Sequence, residues 1–354
     1  MSAITVFLWI LIVLFAAWMA MRFLPSSLDH GTAVPDMTAL VTLLAIPLLI
    51  IAVWALARRS WAQGICSVIL VLLNVTLSAG YFFALPDGIN RLLGQPVQST
   101  VTADELHTAQ AACSASADDE ASSRCIRIMT LNSRYGKADA SAIVHAVKQH
   151  GVTVLALQEV SDDMLASLEK SGIGDILPYM TRGEASQLDN GGFNVIFSQS
   201  RPTATTENAV NIRTAHVPQI TLDIQGTAVR IASAHTASPH RGTDRWHDGI
   251  EDLAALGDSD SSTHGTPSIV VGDLNATMSH PSFRDLLVNG AFTDASYELH
   301  SGTHLSFPAS WFFTPSLLEL DHVLHTDGVT TADMTSVTIP RTDHRAQIAT
   351  LYMQ

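Results

Sequence analysis

The sequence is short of positive charge: 19 lysines and arginines stand against 33 aspartates and glutamates in 354 residues. The deficit persists in the polar part of the chain, where 14 basic residues face 25 acidic ones from Ile126 onward. Proteins that hold long nucleic acids do so largely through phosphate contacts from basic side chains, so this balance disfavours a general DNA-binding enzyme. Cysteine is scarce too, three in all, and no cluster of Cys and His has the spacing of a zinc site. Cys66 sits in an apolar segment. Cys113 and Cys125 flank a short polar stretch, either as two thiols or as a disulfide suited to an oxidising exterior.

Charge is almost absent from the first 86 residues, where Arg22, Arg58 and Arg59 are the only basic side chains. Three stretches there, about 4–24, 39–57 and 65–85, approach the roughly 20 apolar residues that a spanning helix needs. The sequence therefore predicts a membrane domain over residues 1–90 with three transmembrane helices. Arg58 and Arg59 lie between the second and third stretches, and Asp29 and Asp36 between the first and second. The cytoplasmic bias of basic loops then places the N-terminus inside and the C-terminal domain outside a cell membrane. Residues 91–124, rich in Ser, Ala, Thr and acidic side chains, read as a polar linker.

From residue 125 onward short apolar runs alternate with helical patterns, which predicts an α/β domain with mixed sheets over 125–354. IRIMTLN, VTVLALQE, FNVIFS, QITLDI, AVRIASAH, PSIVVGD, LELDHVLH and AQIATLYM read as strands, and DASAIVHAVKQHG and PSFRDLLVNG as helices. Polar residues recur at the strand ends: Asn132, Glu159, His235, Asp273 with Asn275, Asp321 with His322, and Asp343 with His344. One such residue is ordinary turn chemistry. Strands of one sheet align their ends along one edge, so the set can converge on a single site. Carboxylate and amide oxygens suit Mg²⁺ or Mn²⁺ as the cofactor.

The succession NSRYG, LQEV, GGFNVIFS, AHT, GDLNAT, LDHVL and TDHR resembles the endonuclease/exonuclease/phosphatase superfamily over about residues 126–353. The resemblance implies a four-layered α/β sandwich of two mixed β-sheets flanked by helices, and metal-dependent hydrolysis of a phosphate ester. It implies Glu159 as the principal metal ligand with Asn132 and Asp343 nearby. Asp321 would orient His344, and either His344 or Asp273 would serve as general base. Asn275 would donate to the phosphate, and His235 would stabilise it or act as an acid.

Other residues carry weaker expectations. His322 should point away from the site by strand alternation and serve as structural support. His240, His247, His280 and His304 read as solvated or close to substrate. Arg241 and Arg245 could hold a distal phosphate or lie on the surface, and Trp311, Phe312 and Phe313 could touch lipid or enter the core. Phe193, Glu319 and Thr342 depart from the family pattern. Tyr179 and Glu184 are open choices for an additional residue beside the metal. The functional expectation is a membrane-anchored phosphoesterase acting on a phosphate ester, with a phospholipid head group as one substrate class. The alternatives are a tethered nuclease acting on external nucleic acid and a non-catalytic binding protein; no protein partner is inferred.

Overall fold

The computed structural model describes residues 3–31, 33–96, 101–115, 121–189, 191–241, 243–257, 265–309 and 315–354. Trp311, Phe312 and Phe313 lie outside these residues, as does the side chain of Arg241.

The first four strands belong to one sheet: β1 (Cys125–Asn132), β2 (Val154–Val160), β3 (Tyr179–Arg182) and β4 (Phe193–Ser198). The next six build a second: β5 (Ala204–Thr206), β6 (Gln219–Ile224), β7 (Thr227–His235), β8 (Ser268–Asp273), β9 (Thr293–Asp294) and β10 (Asp321–His325). The chain then returns to the first sheet with β11 (Val329–Thr338) and β12 (Arg345–Met353). The strand orders are β11-β12-β1-β2-β4-β3 and β5-β6-β7-β8-β10-β9. Each sheet has one central parallel pair, β1 with β2 and β7 with β8, flanked by antiparallel neighbours.

Three apolar clusters account for the layering. Ile128, Val154, Ala156, Ile231, Ile269 and Val271 fill the space between the sheets. Met129, Leu155 and Leu157 face outward and pack on Ile143, Val147, Met164 and Leu168 of helices Ala140–Gln149 and Asp162–Lys170. Ala232, Ala234 and Val270 do the same against Trp246, Ile250, Phe283 and Leu286 of helices Thr243–Asp252 and Pro281–Asn289. Successive residues of one strand thus feed two different cores, as a period of two requires. Residues with both faces covered must be apolar throughout, and all seven residues of β2 are buried. The four-layered sandwich expected from the sequence is the observed fold.

The N-terminal region departs from the expectation of three spans. Among the described residues a single helix, Ala3–Phe23, is long and apolar enough to cross a bilayer. The second stretch is bent by 57° between Ala33–Ala39 and Val41–Ala57. The break falls at Leu40, and beyond it the chain runs as a 3-10 turn, Val41–Leu44, before helix Ala45–Ala57, where the ring of Pro47 crowds the Leu43 carbonyl four residues back. The third helix, Trp61–Leu77, has 17 residues and so extends about 26 Å, short of the roughly 30 Å hydrocarbon layer. It stops because the chain turns at Ala79–Tyr81 and sends Tyr81 into the core of the second sheet.

The segment expected to be a linker contains a helix, Ala103–Ser114, opened by a Thr102/Glu105 capping box. Its buried Ala109 and Cys113 pack on Ala332 of β11. A disulfide joins Cys113 to Cys125 at the start of β1.

Candidate functional site

The two parallel pairs place their C-terminal ends side by side, and the site lies there. Asn132 is level with Gln158 at the end of β1 and β2. Asp273 is level with His235 on one side and Asp321 on the other. The close packing of β8 on β7 requires Gly272, where a Cβ would stand 1.8 Å from the Ala234 carbonyl oxygen.

Strand alternation would aim Glu159 away from its observed direction, since Gln158 reaches Ser233 Oγ of the opposite sheet at 3.0 Å. A break in the β2–β4 register between Leu157 and Val160 coincides with a left-handed φ of 53° at Glu159. Such a bulge re-aims a side chain. Ser133 holds it in place, its hydroxyl within 2.9 Å of the Gln158 and Glu159 carbonyls. Gly192 lies against the same backbone, 3.2 Å from Glu159 Cα measured at the position of an added Cβ.

Asn132 Nδ2 donates to Glu159 Oε1 at 3.2 Å and to Asp273 Oδ2 at 2.9 Å, and its Oδ1 accepts from the Arg134 amide at 2.8 Å. The Tyr135 amide donates to Glu159 Oε2 at 2.9 Å. Two imidazoles flank Asp273, with His235 Nε2 and His344 Nε2 each 3.7 Å from Oδ2. Each ring is anchored behind by a buried carboxylate: His235 Nδ1 lies 2.8 Å from Asp189 Oδ1, and His344 Nδ1 lies 2.7 Å from Asp321 Oδ2. Asn275 N donates to Asp273 Oδ1 at 2.9 Å, while its side-chain amide donates to the Thr236 carbonyl at 3.1 Å. Thr342 accepts from the His344 amide and donates to the Asn132 carbonyl, tying β12 to β1.

Burial alone would lower the basicity of both rings, and the surrounding carboxylates outweigh it. Asp189 and Glu159 lift His235 to about 9, and Asp321 and Asp273 lift His344 to about 10. Burial raises Asp273, opposed by His344 and His235.

The charge of the cluster argues for a cation. Four buried carboxylates, Glu159, Asp189, Asp273 and Asp321, face two imidazoles. With all four carboxylates ionised and both rings protonated the sum is −4 + 2, so two negative charges remain in a place where unbalanced charge is costly. Asp189 Oδ2 and Asp321 Oδ1 are buried without a hydrogen-bond donor. Two groups, Glu159 with Asp189 and His235, and Asp273 with Asp321 and His344, hold potential ligand atoms within 4.8 Å of one another. An oxygen-rich set with two excess charges fits a hard divalent ion. The Asn132 amide points its nitrogen between Glu159 and Asp273, and its oxygen is held by the Arg134 amide.

The lining groups enclose a pocket of about 310 Å³, to which Asn132, Glu159, His235, Asp273, Asn275, Asp343 and His344 all contribute. Asp321 stands behind His344. Asp343 is set apart from both ligand groups and pairs with Arg134, Nε to Oδ2, at 3.3 Å. Arg134 and Asp189 escaped the sequence reasoning. Arg134 sits within NSRYG, two residues after Asn132, and Asp189 closely precedes the paired glycines 191 and 192; neither occupies a strand end.

His322 points to the opposite face, as expected, and pairs with Asp294 at 2.7 Å. Of the loop histidines, His240 and His280 line the pocket, whereas Arg245, Tyr179 and Glu184 do not.

A two-sheet sandwich carrying acidic, amide and imidazole groups at adjoining strand ends defines a structural class rather than a particular enzyme. The Endonuclease/Exonuclease/phosphatase family profile matches residues 129–344, more than half of the chain, and the protein belongs to that family. Similar solved structures include humanized D. rerio TDP2, with 13% identity and a TM-score of 0.51 over 65% of this chain and 100% of that one. An endonuclease/exonuclease/phosphatase from Beutenbergia cavernae gives 16% and 0.50 over 65% and 72%. A family protein from Bacteroides thetaiotaomicron gives 15% and 0.51 over 65% and 98%. Likeness at such identities concerns the fold alone. No significant match was found among curated proteins.

Proposed function

We propose that the protein is a divalent-metal-dependent phosphoesterase that hydrolyses a phosphodiester or phosphomonoester in the pocket of Asn132, Glu159 and Asp273. The two uncompensated negative charges of the buried cluster carry this reading. Glu159 and Asn132 would hold Mg²⁺ or Mn²⁺, with Asp343 and Arg134 at the rim. Bound there, the ion supplies Lewis-acid stabilisation of charge on the phosphoryl oxygens.

The protein's own groups supply the rest. Asp273 Oδ2 is an acceptor that can orient water and take its proton. His344, held at Nδ1 by Asp321, presents a protonated Nε2 to the developing phosphoryl charge, and His235 does so from the other side. This division gives Asp273 the part of base, because both imidazole Nε2 atoms turn toward its Oδ2, 3.7 Å away, and face the site as donors. Asn275 fixes the carboxylate of Asp273 through its backbone amide.

The apolar helix Ala3–Phe23 supports attachment to a membrane, and the Cys113–Cys125 disulfide supports a catalytic domain on the oxidising side. The acidic surface supports small phosphate esters over long nucleic acid.

The test is hydrolysis of bis(p-nitrophenyl) phosphate and p-nitrophenyl phosphate by the full chain, with Mg²⁺, Mn²⁺ or chelator. Activity lost on chelation and in Glu159→Ala and Asp273→Asn is the expected result. Rates indifferent to all three overturn the assignment.

A further inference from the structure

One wall of the catalytic pocket comes from the apolar N-terminal region and not from the sandwich. Pro35, Asp36 and Ala39 of helix Ala33–Ala39 line it together with Asn275 and with His280, which touches Pro35. Several contacts fix this helix and its flanks to the catalytic domain. The Arg284 guanidinium donates to the Arg22 carbonyl at 2.6 Å, Ser282 donates to Asp29 at 3.1 Å from its amide and 3.0 Å from its hydroxyl, and His280 Nε2 meets the Pro35 carbonyl at 2.9 Å.

The same short helix borders a second cavity. Met37 closes a groove of about 410 Å³ along helix Ala3–Ala20, lined by Leu11, Leu14, Phe15, Ala17, Trp18 and Met21. Every lining side chain is apolar apart from the Trp18 indole N–H, which is spent on the Met37 carbonyl at 2.6 Å. Asp36 and Met37 are consecutive, so one helical turn separates a metal-binding pocket from a dry groove. That ridge is about 10 Å across with its side chains. On its polar side Asp36 pairs with His240 at 3.3 Å.

The groove runs along the one described helix long and apolar enough to cross a bilayer, and the other exposed side chains of that helix, Ile4, Phe7, Ile10 and Val13, are apolar as well. The medium around such a surface is lipid. A phosphate-binding pocket on one side of a ridge and an apolar channel on the other match an amphiphile with a phosphate near its polar end.

We propose that the substrate is a lipid phosphoester, bound with its phosphate at Asn132, Glu159 and Asp273 and one apolar chain in the groove of Leu14, Trp18, Met21 and Met37. This rests on the phosphoesterase reading and adds a chain-binding site to it. The ridge of Asp36 and Met37 marks the boundary between head and tail, and the lipid enters from the bilayer.

The test uses the full chain in phosphatidylcholine vesicles doped with a phospholipid carrying a diazirine at the end of one acyl chain. Peptides containing Leu14, Trp18 and Met37 are expected to label in preference to the more exposed apolar face of Ile46, Leu49, Ile50 and Val53. In parallel, Ala17→Trp and Leu14→Trp fill the groove. Displacing a couple of methylenes should lower kcat/KM on the most readily hydrolysed of sphingomyelin, phosphatidylinositol and phosphatidylglycerol vesicles about tenfold. Hydrolysis of soluble bis(p-nitrophenyl) phosphate should not change. Even labelling of all apolar faces, cross-links to a second copy, or variants that affect both substrates or neither overturn the chain site. Glu159-dependent hydrolysis of the soluble diester with no vesicle lipid cleaved rejects the lipid while leaving the phosphoesterase standing. Failure of both with Glu159→Ala inert rejects the phosphoesterase itself.

Discussion

Asp189 and His235 form an ion pair of 2.8 Å in which both side chains are buried, although 46 positions separate them in the sequence. The pair joins the β3–β4 connection of the first sheet to β7 of the second, as Asp321 of β10 and His344 before β12 join the two sheets across the site, so that two carboxylate-backed imidazoles flank Asp273.

Asp189 is therefore a positioning residue acting through His235. Asp189→Asn keeps an acceptor of the same shape, so the melting temperature should hold while kcat falls about 10- to 100-fold. KM should change less than kcat, because the group supports charge that develops only in the transition state. Steady-state kinetics beside a thermal melt checks this, and equal loss of fold and activity would refute it.

Removing Glu159 should act differently. Glu159→Ala is expected to lower the rate at least about a thousandfold and to abolish metal-dependent stabilisation of the fold. Wild-type protein should melt higher with millimolar Mg²⁺ or Mn²⁺ than with chelator, by mass action on the native state, and the variant should show no such rise. A metal-induced shift surviving in Glu159→Ala would place the ion elsewhere.

His322 provides a pH-linked stability test away from the pocket. Burial alone would lower its basicity, but Asp294 and Glu319 push it up to about 9 from 6.5. A histidine whose folded value is raised contributes stability that is fully present below about 6.5 and is lost as pH rises through about 9. The contribution is at most about 3 kcal/mol. His322→Gln should cost most of that near pH 6 and little near pH 10, as read by urea denaturation. A difference from wild type that is independent of pH would contradict the assignment.

The Cys113–Cys125 bond closes a short loop at the end of β1 remote from the site, about 23 Å from Asn132 along the strand. Replacing both cysteines with serine should cost about 3 kcal/mol, a fall in melting temperature of roughly 6–12 °C for a domain of this size. Activity at 25 °C should be unaffected. A drop in kcat without a change in melting would show that the helix Ala103–Ser114 serves the site and not the fold.

The family, the two-sheet sandwich and most of the site were legible in the sequence. Strand periodicity marks β1, β2, β7, β8 and β12, and a polar residue closing a buried apolar strand has few places to go but the sheet edge. That logic located Asn132, Glu159, His235, Asp273, Asp321 and His344 without knowledge of the pairing. It located neither Asp189 nor Arg134, because both sit in connections whose path is set by contacts distant in sequence. It could not foresee the bulge that turns Glu159 into the site, which depends on β4 pairing out of register. Hydropathy found the apolar segments but overcounted the spans, since composition does not register the bend at Leu40 or the pull of Tyr81 into the second core. The placement of Asp36 and Met37 on either side of one ridge was decided by tertiary structure alone: local patterns fix which residues are apolar, and only packing between remote segments fixes what they face.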